Sequence, residues 1–228
     1  MTDSNKHRPI RSFVLRPGRM TEGQRRAMEE NWSHWGLEHD GGVFEPARSF
    51  AGSGPLVLEI GFGMGQSLAE MAQAAPATNF IGIEVHRPGV GKLMHIMERE
   101  RIENIRIYCD DAVAVLRDCI AEDSVDTIQI FFPDPWHKKR HHKRRLIQAP
   151  FIEQLVSRLK PGGRLHLATD WENYAEQMLE LLCANPDLSN SSPTGGYVER
   201  PLHRPLTKFE KRGQRLGHGV WDLVFSRT

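Results

Sequence analysis

An open α/β sandwich, with a mostly parallel sheet of seven strands, helices on both faces and an antiparallel edge, is the fold this sequence predicts. Two observations carry that prediction. Short runs rich in Leu, Ile, Val and Phe alternate with helix-length segments from Leu56 to Asn185. Such alternation implies β-α-β crossovers and strands buried on both faces. Two further strand-like stretches near the C-terminus are separated by a polar, basic loop too poor in helix formers to cross over, so they are expected to pair antiparallel at the sheet edge.

The first ten residues are polar and expected to be mobile. In "RMTEGQRRAMEENWSHW", Thr21 is followed three residues later by Gln24, a capping-box pattern, and good helix formers continue from there. A short basic helix is expected. The Gly-, Pro- and Ser-rich stretch 41–55 reads as a linker, which divides the chain into a mobile N-terminal extension, 1–53, and an α/β domain, 54–228. Within that domain "LVLEI", "NFIGIEV", "NIRIYC", "VDTIQIFF" and "GGRLHLATD" are read as strands. The segments "QSLAEMAQAA", "RPGVGKLMHIMERERI", "DAVAVLRDCI", "APFIEQLVSRLK" and "ENYAEQMLELLCAN" are read as the helices between and after them. "YVERPL" and "GVWDLVF" supply the antiparallel pair.

The first strand leads into "EIGFGMG", where Glu59 precedes Gly61, Gly63 and Gly65. Glycines at this turn let a ligand approach the backbone beyond the carboxyl ends of the strands. Gln66 stands where the dinucleotide fingerprint GxGxxG would need its third glycine, which weakens a hydride-transfer reading. Glu84 ends the second strand, where a carboxylate can accept from two ribose hydroxyls, and Asp111 at the end of the third could hold an adenine amino group. ExGxGxG with an acid at the second strand end is the spacing of S-adenosylmethionine enzymes of the Rossmann-like class. Beyond the fourth strand, "FFPDPW" places Asp134, Pro135 and Trp136 on the same edge; two prolines stiffen the exit and keep Asp134 out of a regular helix. Trp136 is open to either stacking on a base or packing in the core.

Charge is unevenly distributed. Residues 11–26 carry +4, 137–145 carry +6 and 200–215 carry +5 in a chain whose net charge is only +1, which points to a basic face on an acidic body and to an anionic polymer as partner. His137, His141 and His142 lie among six cations with no carboxylate in the run, so no metal is expected. Cys109, Cys119 and Cys183 are scattered and odd in number, consistent with reduced thiols. With no apolar run of ~20 residues and no secretory signal, a cytoplasmic location is expected.

"LEIGFGMG", "IGIEVH", "FFPDPWHKKRHHKRR", "LATDWENY" and "RPLTKFEKRG" resemble, in order, the motifs of the bacterial tRNA (guanine-N7-)-methyltransferases. "RSFVLRPGRMT" resembles their N-terminal lead-in, so the likeness runs from about Arg11 to Phe225. The resemblance implies a Rossmann-like class I methyltransferase fold, S-adenosylmethionine as cofactor and tRNA as partner. The product it implies is 7-methylguanosine at position 46 of the variable loop. It carries cofactor binding onto Glu59, Glu84, Asp111 and Asp134, beside the glycines of the loop, and assigns Asp134 as the catalytic residue. Substrate binding falls on Lys138, Asp170 and the stretch Thr207, Lys208, Phe209, Glu210. RNA contact falls on Arg140, His141, His142, Lys143, Arg144 and Arg145. No obligatory protein partner is implied, so a monomer or homodimer is expected. Two readings of the residues themselves stay open beside these: Asp170 as a helix cap, and Thr207 to Glu210 as a capping box. Methylation of an exocyclic amino group, suggested by Asp-Pro before an aromatic, and a non-catalytic RNA-binding role on the same fold are the alternative functions.

Overall fold

The structure, a computed structural model, describes residues 12–13, 18–40, 42–207, 210 and 219–228. Lys208 and Phe209 lie outside these residues, as do much of the basic stretch 11–26 before Gly18 and the cations of 211–215. In chain order the elements are α1 (Glu22–Trp35), β1 (Gly36–Leu37), α2 (Pro46–Ser49), β2 (Leu56–Ile60), α3 (Gln66–Ala74), β3 (Asn79–Ile83), α4 (Arg87–Glu100) and β4 (Ile105–Tyr108). There follow α5 (Ala112–Asp118), β5 (Val125–Phe131), a 3₁₀ helix (Lys139–Arg144), α6 (Ala149–Arg158), β6 (Leu159–Thr169), α7 (Glu172–Cys183), β7 (Leu188–Asn190) and β8 (Trp221–Arg227).

The strands form one sheet in the order β1-β4-β3-β2-β5-β6-β8-β7. All pairs from β1 to β6 are parallel, and β8 runs antiparallel to both β6 and β7. The chain leaves β2 towards β3 on one side and reaches β5 on the other, which opens a crevice beyond the carboxyl end of β2. Every residue of β3 is buried, as are four of the five in β2, so the apolar runs are strands covered on both faces.

The expected strand "YVERPL" does not form. Val198 makes a single antiparallel bridge to Asp222, and the chain then turns, with the Arg204 N–H bonded to the Pro201 carbonyl. Pro201 has no N–H to give a ladder. The sheet edge is taken instead by Leu188–Asn190, a three-residue strand after α7.

Thr21 caps α1 as its spacing predicts: its hydroxyl accepts from the Gln24 N–H at 3.2 Å, and the Gln24 side chain accepts from the Thr21 N–H at 2.8 Å. The helix itself is not basic, since it carries two arginines, Arg25 and Arg26, and three glutamates, Glu22, Glu29 and Glu30. α1 packs on α4 where Gly91 lies so close that a Cβ there would sit 2.6 Å from the Gln24 carbonyl oxygen. Ala27, Met28 and Trp35 of α1 share an apolar cluster with α3 and α4, and β1 adds to β4 through Gly36 and Leu37. Both elements precede residue 54 and pack into the core of the α/β domain. No helix among the described residues is long and apolar enough to cross a membrane.

Candidate active site at the carboxyl edge of the sheet

A cavity of about 650 Å³ opens at the crevice beside β2. Its apolar lining includes Ile60, Ile83, Ile130 and Phe131 from the ends of three adjacent strands. Four carboxylates line it, Glu84, Asp110, Asp111 and Asp134, beside Lys138 and the imidazoles of His86, His137 and His141.

The glycine loop is built on left-handed backbone: Gly61, Gly63 and Gly65 have φ of +76°, +58° and +75°, a region that costs most side chains about 1–2 kcal/mol. Their roles differ. Gly61 lines the cavity, whereas a Cβ on Gly65 would meet Leu93 Cβ at 2.6 Å, so that glycine is needed for packing against α4. Gly63 donates its N–H to Glu84 Oε2 at 2.8 Å, and the other oxygen, Oε1, accepts from the His86 N–H at 2.9 Å. Glu84 thus ties the loop to the end of β3. A carboxylate has about four acceptor sites, so two remain for hydroxyls of a ligand in the cavity it lines.

Glu59 is placed differently from its expected cofactor contact. It is buried and does not line the cavity; its partner is Gln129, which faces it in the parallel β2–β5 register and donates from Nε2 at 2.9 Å. Burial pushes the Glu59 carboxyl up to about 7, opposed by the Gln129 hydrogen bond and reinforced by the Glu84 charge. Asp111 caps α5, accepting from the Val113 N–H at 3.1 Å, and also lines the cavity. The neighbouring Asp110 was not singled out by sequence, although the doubled acid in "CDD" was its signal. It lines the cavity too, and His39 holds it: Nδ1 lies 3.2 Å from Asp110 and Nε2 lies 2.9 Å from Asp118.

The opposite wall comes from 132–138. Phe132 and Trp136 both adopt left-handed backbone, φ +54° and +47°, on either side of Pro133-Asp134-Pro135. Two such residues in one short loop store on the order of 1–3 kcal/mol each, which the surrounding contacts must offset. Those contacts are explicit: the Phe132 N–H bonds to the Ala168 carbonyl at 2.8 Å, Trp136 Nε1 donates to the Ser12 carbonyl at 3.2 Å, and Arg145 Nε donates to the Pro135 carbonyl at 2.9 Å. Between them Asp134 is exposed at the cavity, and its carboxylate has no hydrogen bond or ion pair among the described residues. Trp136 is half-buried, with the Arg144 guanidinium 3.9 Å from its ring centroid, so it is neither core nor a bare platform.

The cations after Trp136 divide into two kinds. Lys138, Lys139, Arg140 and Lys143 are exposed, and Lys138 and His141 line the cavity. Arg145 does not fit the expected RNA contact: it is 2% exposed, donates to Pro135, Asn173 and Gln177, and lies 4.6 Å from the Tyr174 ring centroid. Its donors hold the Asp134 loop onto α7. His142 stands 3.2 Å from Arg145 Nη2 and serves the same anchorage. No three His, Cys, Asp or Glu side chains among the described residues form a metal cluster.

Asp170, just past β6, is half-buried, without a hydrogen bond or ion pair among the described residues, and is not part of the cavity lining. It does not cap α7, whose N-cap residue, Trp171, provides no side-chain cap; the Thr169 hydroxyl accepts the Trp171 N–H at 3.2 Å. The Trp171 ring lies 4.2 Å from that of His137, which connects this corner to the cavity. Thr207 accepts the Glu210 N–H at 3.0 Å, the first half of the capping box. Glu210 is buried, against the expectation of a base contact: both its oxygens accept from Arg204 at 2.8 Å.

Comparison with known proteins adds four findings. The family described as "Putative methyltransferase" matches residues 53–223. A tRNA (guanine-N(7)-)-methyltransferase of Pseudoalteromonas translucida (strain TAC 125) is 60% identical, covering 97% of this chain and 92% of its own length. One of Marinobacter nauticus (strain ATCC 700491 / DSM 11845 / VT8) is 54% identical over the full length of both. Among solved structures, an rRNA methylase from Streptococcus thermophilus superposes with a TM-score of 0.52 at 14% identity, over 77% of this chain and 88% of that one, which shows a shared fold.

Proposed function

The chain belongs to the tRNA (guanine-N(7)-)-methyltransferase family, and from that membership we propose that it methylates guanine N7 of tRNA with S-adenosylmethionine, at position 46 of the variable loop. The observation that carries this reading onto the chain's own residues is Asp134: a carboxylate with no hydrogen bond or ion pair among the described residues, held by a strained and heavily tied loop at the mouth of an acidic, apolar-floored cavity.

The cavity suits the cofactor chemically. Glu84 has acceptor sites left for ribose hydroxyls, Asp110 and Asp111 can accept from an amino group, Ile83 and Ile130 offer apolar surface to a purine, and the acidic wall favours a cationic ligand. S-adenosylmethionine supplies, when bound, a methyl group activated by a sulfonium charge. Guanine N7 has an in-plane lone pair and no proton, so the chain needs no general base. Asp134 instead stabilises the positive charge that develops on the purine and orients its N–H groups. Positioning is the larger contribution, on the order of 7–11 kcal/mol when two reactants are held in near-attack geometry.

N7 lies on the major-groove edge, which is too deep and narrow in A-form RNA for side chains to enter, so the guanine must come from a loop or be extruded. Lys138, Lys139, Arg140 and Lys143 leave the same loop as Asp134 and would grip phosphates beside the reacting base. Asp170, which has no hydrogen bond or ion pair among the described residues, and Thr207 are proposed to meet the substrate. The enzyme is proposed to act in the cytoplasm without an obligatory protein partner. Asp134→Asn tests the reading: single-turnover methyl transfer should fall by about 10²–10³-fold with tRNA affinity changed less than threefold. Equal losses in rate and affinity would remove Asp134 from the transition state.

A further inference from the structure

Behind the cavity, on the far side of Phe131 and Phe132, lies a cluster of charged groups away from water. Arg204 is 1% exposed, and Glu210 and Asp222 are each 2% exposed. The guanidinium meets Asp222 along one edge, Nε to Oδ1 at 2.7 Å and Nη2 to Oδ2 at 2.8 Å. Along the other edge it meets Glu210, Nη1 to Oε2 and Nη2 to Oε1, both at 2.8 Å. Four of its five N–H donors are thereby placed, and its planar fork is the only side chain able to bind two carboxylates in this way. Its Cζ lies 5.8 Å from the Phe131 ring centroid and 5.5 Å from that of Phe132.

Each group touched by Arg204 belongs to a different part of the site. Phe131 and Phe132 line the cavity, and Phe132 opens the strained loop that ends two residues later in Asp134. Asp222 sits on β8 opposite Ala168 of β6, the residue whose carbonyl receives the Phe132 N–H, and it is further fixed by His166 Nε2 at 2.7 Å. Glu210 follows Thr207, whose hydroxyl accepts its N–H. For Glu210 to read a base it would have to leave Arg204, and two buried N–H donors of the guanidinium would lose their acceptors, at a cost of about 1–3 kcal/mol.

The geometry points to Arg204 as a positioning residue for methyl transfer, one that fixes Glu210, and through it Thr207, against the loop carrying Asp134, with Glu210 acting through Arg204 instead of on the guanine. The inference rests on the guanine-N7 reading above. It divides the carboxylates of the site into those free to meet the substrate, Asp134 and Asp170, and those spent on holding the frame, Glu210 and Asp222.

Single-turnover methyl transfer separates these roles. The substrates are a tRNA transcript and the same transcript with inosine, which lacks the 2-amino group, at the target guanosine. Wild-type protein comes first: if it forms no 7-methylguanosine, the functional reading fails and not this inference. Arg204→Lys keeps the charge but, with three donors on a single nitrogen, cannot hold two carboxylates bidentately. Below its unfolding temperature its rate should drop by about 10²-fold, the loss typical of a misplacement near 1 Å, with tRNA and S-adenosylhomocysteine dissociation constants within threefold of wild type. A loss no greater than the fall in folded fraction would overturn the inference. Should Arg204→Lys fail to fold, Glu210→Gln decides. A frame residue slows guanosine and inosine substrates by the same factor, leaving their ratio unchanged. A ratio that shifts more than about fivefold would show that Glu210 contacts the base, because loss of a contact to the 2-amino group costs only the substrate that has it.

Discussion

Glu59→Gln should stabilise the protein in alkaline solution and do little in acid. Glu59 is buried and its carboxyl is raised from 4.5 to about 7. The folded chain therefore keeps this proton up to about pH 7, while the unfolded chain releases it near pH 4.5. Between those values the folded state binds more protons, so stability falls as pH rises through the window. Above pH 7 the full difference applies, at most about 3.5 kcal/mol at roughly 1.4 kcal/mol per pH unit. Glutamine cannot ionise, yet it keeps an oxygen for the Gln129 amide, whose donation at 2.9 Å survives the change. Urea unfolding of both proteins at pH 5 and pH 8 measures the effect. The stability difference, variant minus wild type, should grow by about 2–3 kcal/mol between the two, a midpoint shift on the order of 1 M. The same difference at both pH values would refute the claim that this side chain is a buried acid poised near neutrality.

Two further predictions separate residues that the sequence presents alike. Gly65→Ala meets both a left-handed φ and a Cβ contact of 2.6 Å to Leu93, and should cost about 2–4 kcal/mol. Gly63→Ala has a similar φ but open space, and should cost about 1–2 kcal/mol; equal midpoints in urea would contradict the packing role given to Gly65. Arg145→Ala should lower the melting temperature and leave the salt dependence of tRNA binding unchanged, since its guanidinium faces Asn173, Gln177 and Pro135. The triple replacement of Lys139, Arg140 and Lys143 by alanine should do the reverse, flattening the slope of log K against log salt by up to about 2–3. A slope that follows Arg145 instead would place the RNA on the other face of this turn.

The parallel core was legible because strands buried on both faces must be apolar and because the glycines of "EIGFGMG" mark a turn that only left-handed backbone can make. The capping box at Thr21 and the carboxylates at the ends of β3 and β4 were legible for the same local reasons. What escaped was long-range. Glu59 lies on a strand covered on both sides, where periodicity does not say which way a side chain points. Arg145 is the last of six cations between residues 138 and 145, and only the fold-back onto α7 distinguishes it from Arg140. Arg204 and Asp222 are eighteen residues apart with no pattern between them, so the buried cluster is set by the β6–β8 pairing and not by local spacing. "YVERPL" had strand residues, but Pro201 and the turn to Arg204 removed it from the ladder.

The product decides the central claim. Nucleoside mass spectrometry of unmodified tRNA transcripts, after incubation with the purified protein and S-adenosylmethionine, should reveal 7-methylguanosine. A transcript in which adenine replaces the guanine at position 46 should yield none. Formation of 2-methylguanosine or 6-methyladenosine instead, or of 7-methylguanosine regardless of that replacement, would contradict the account.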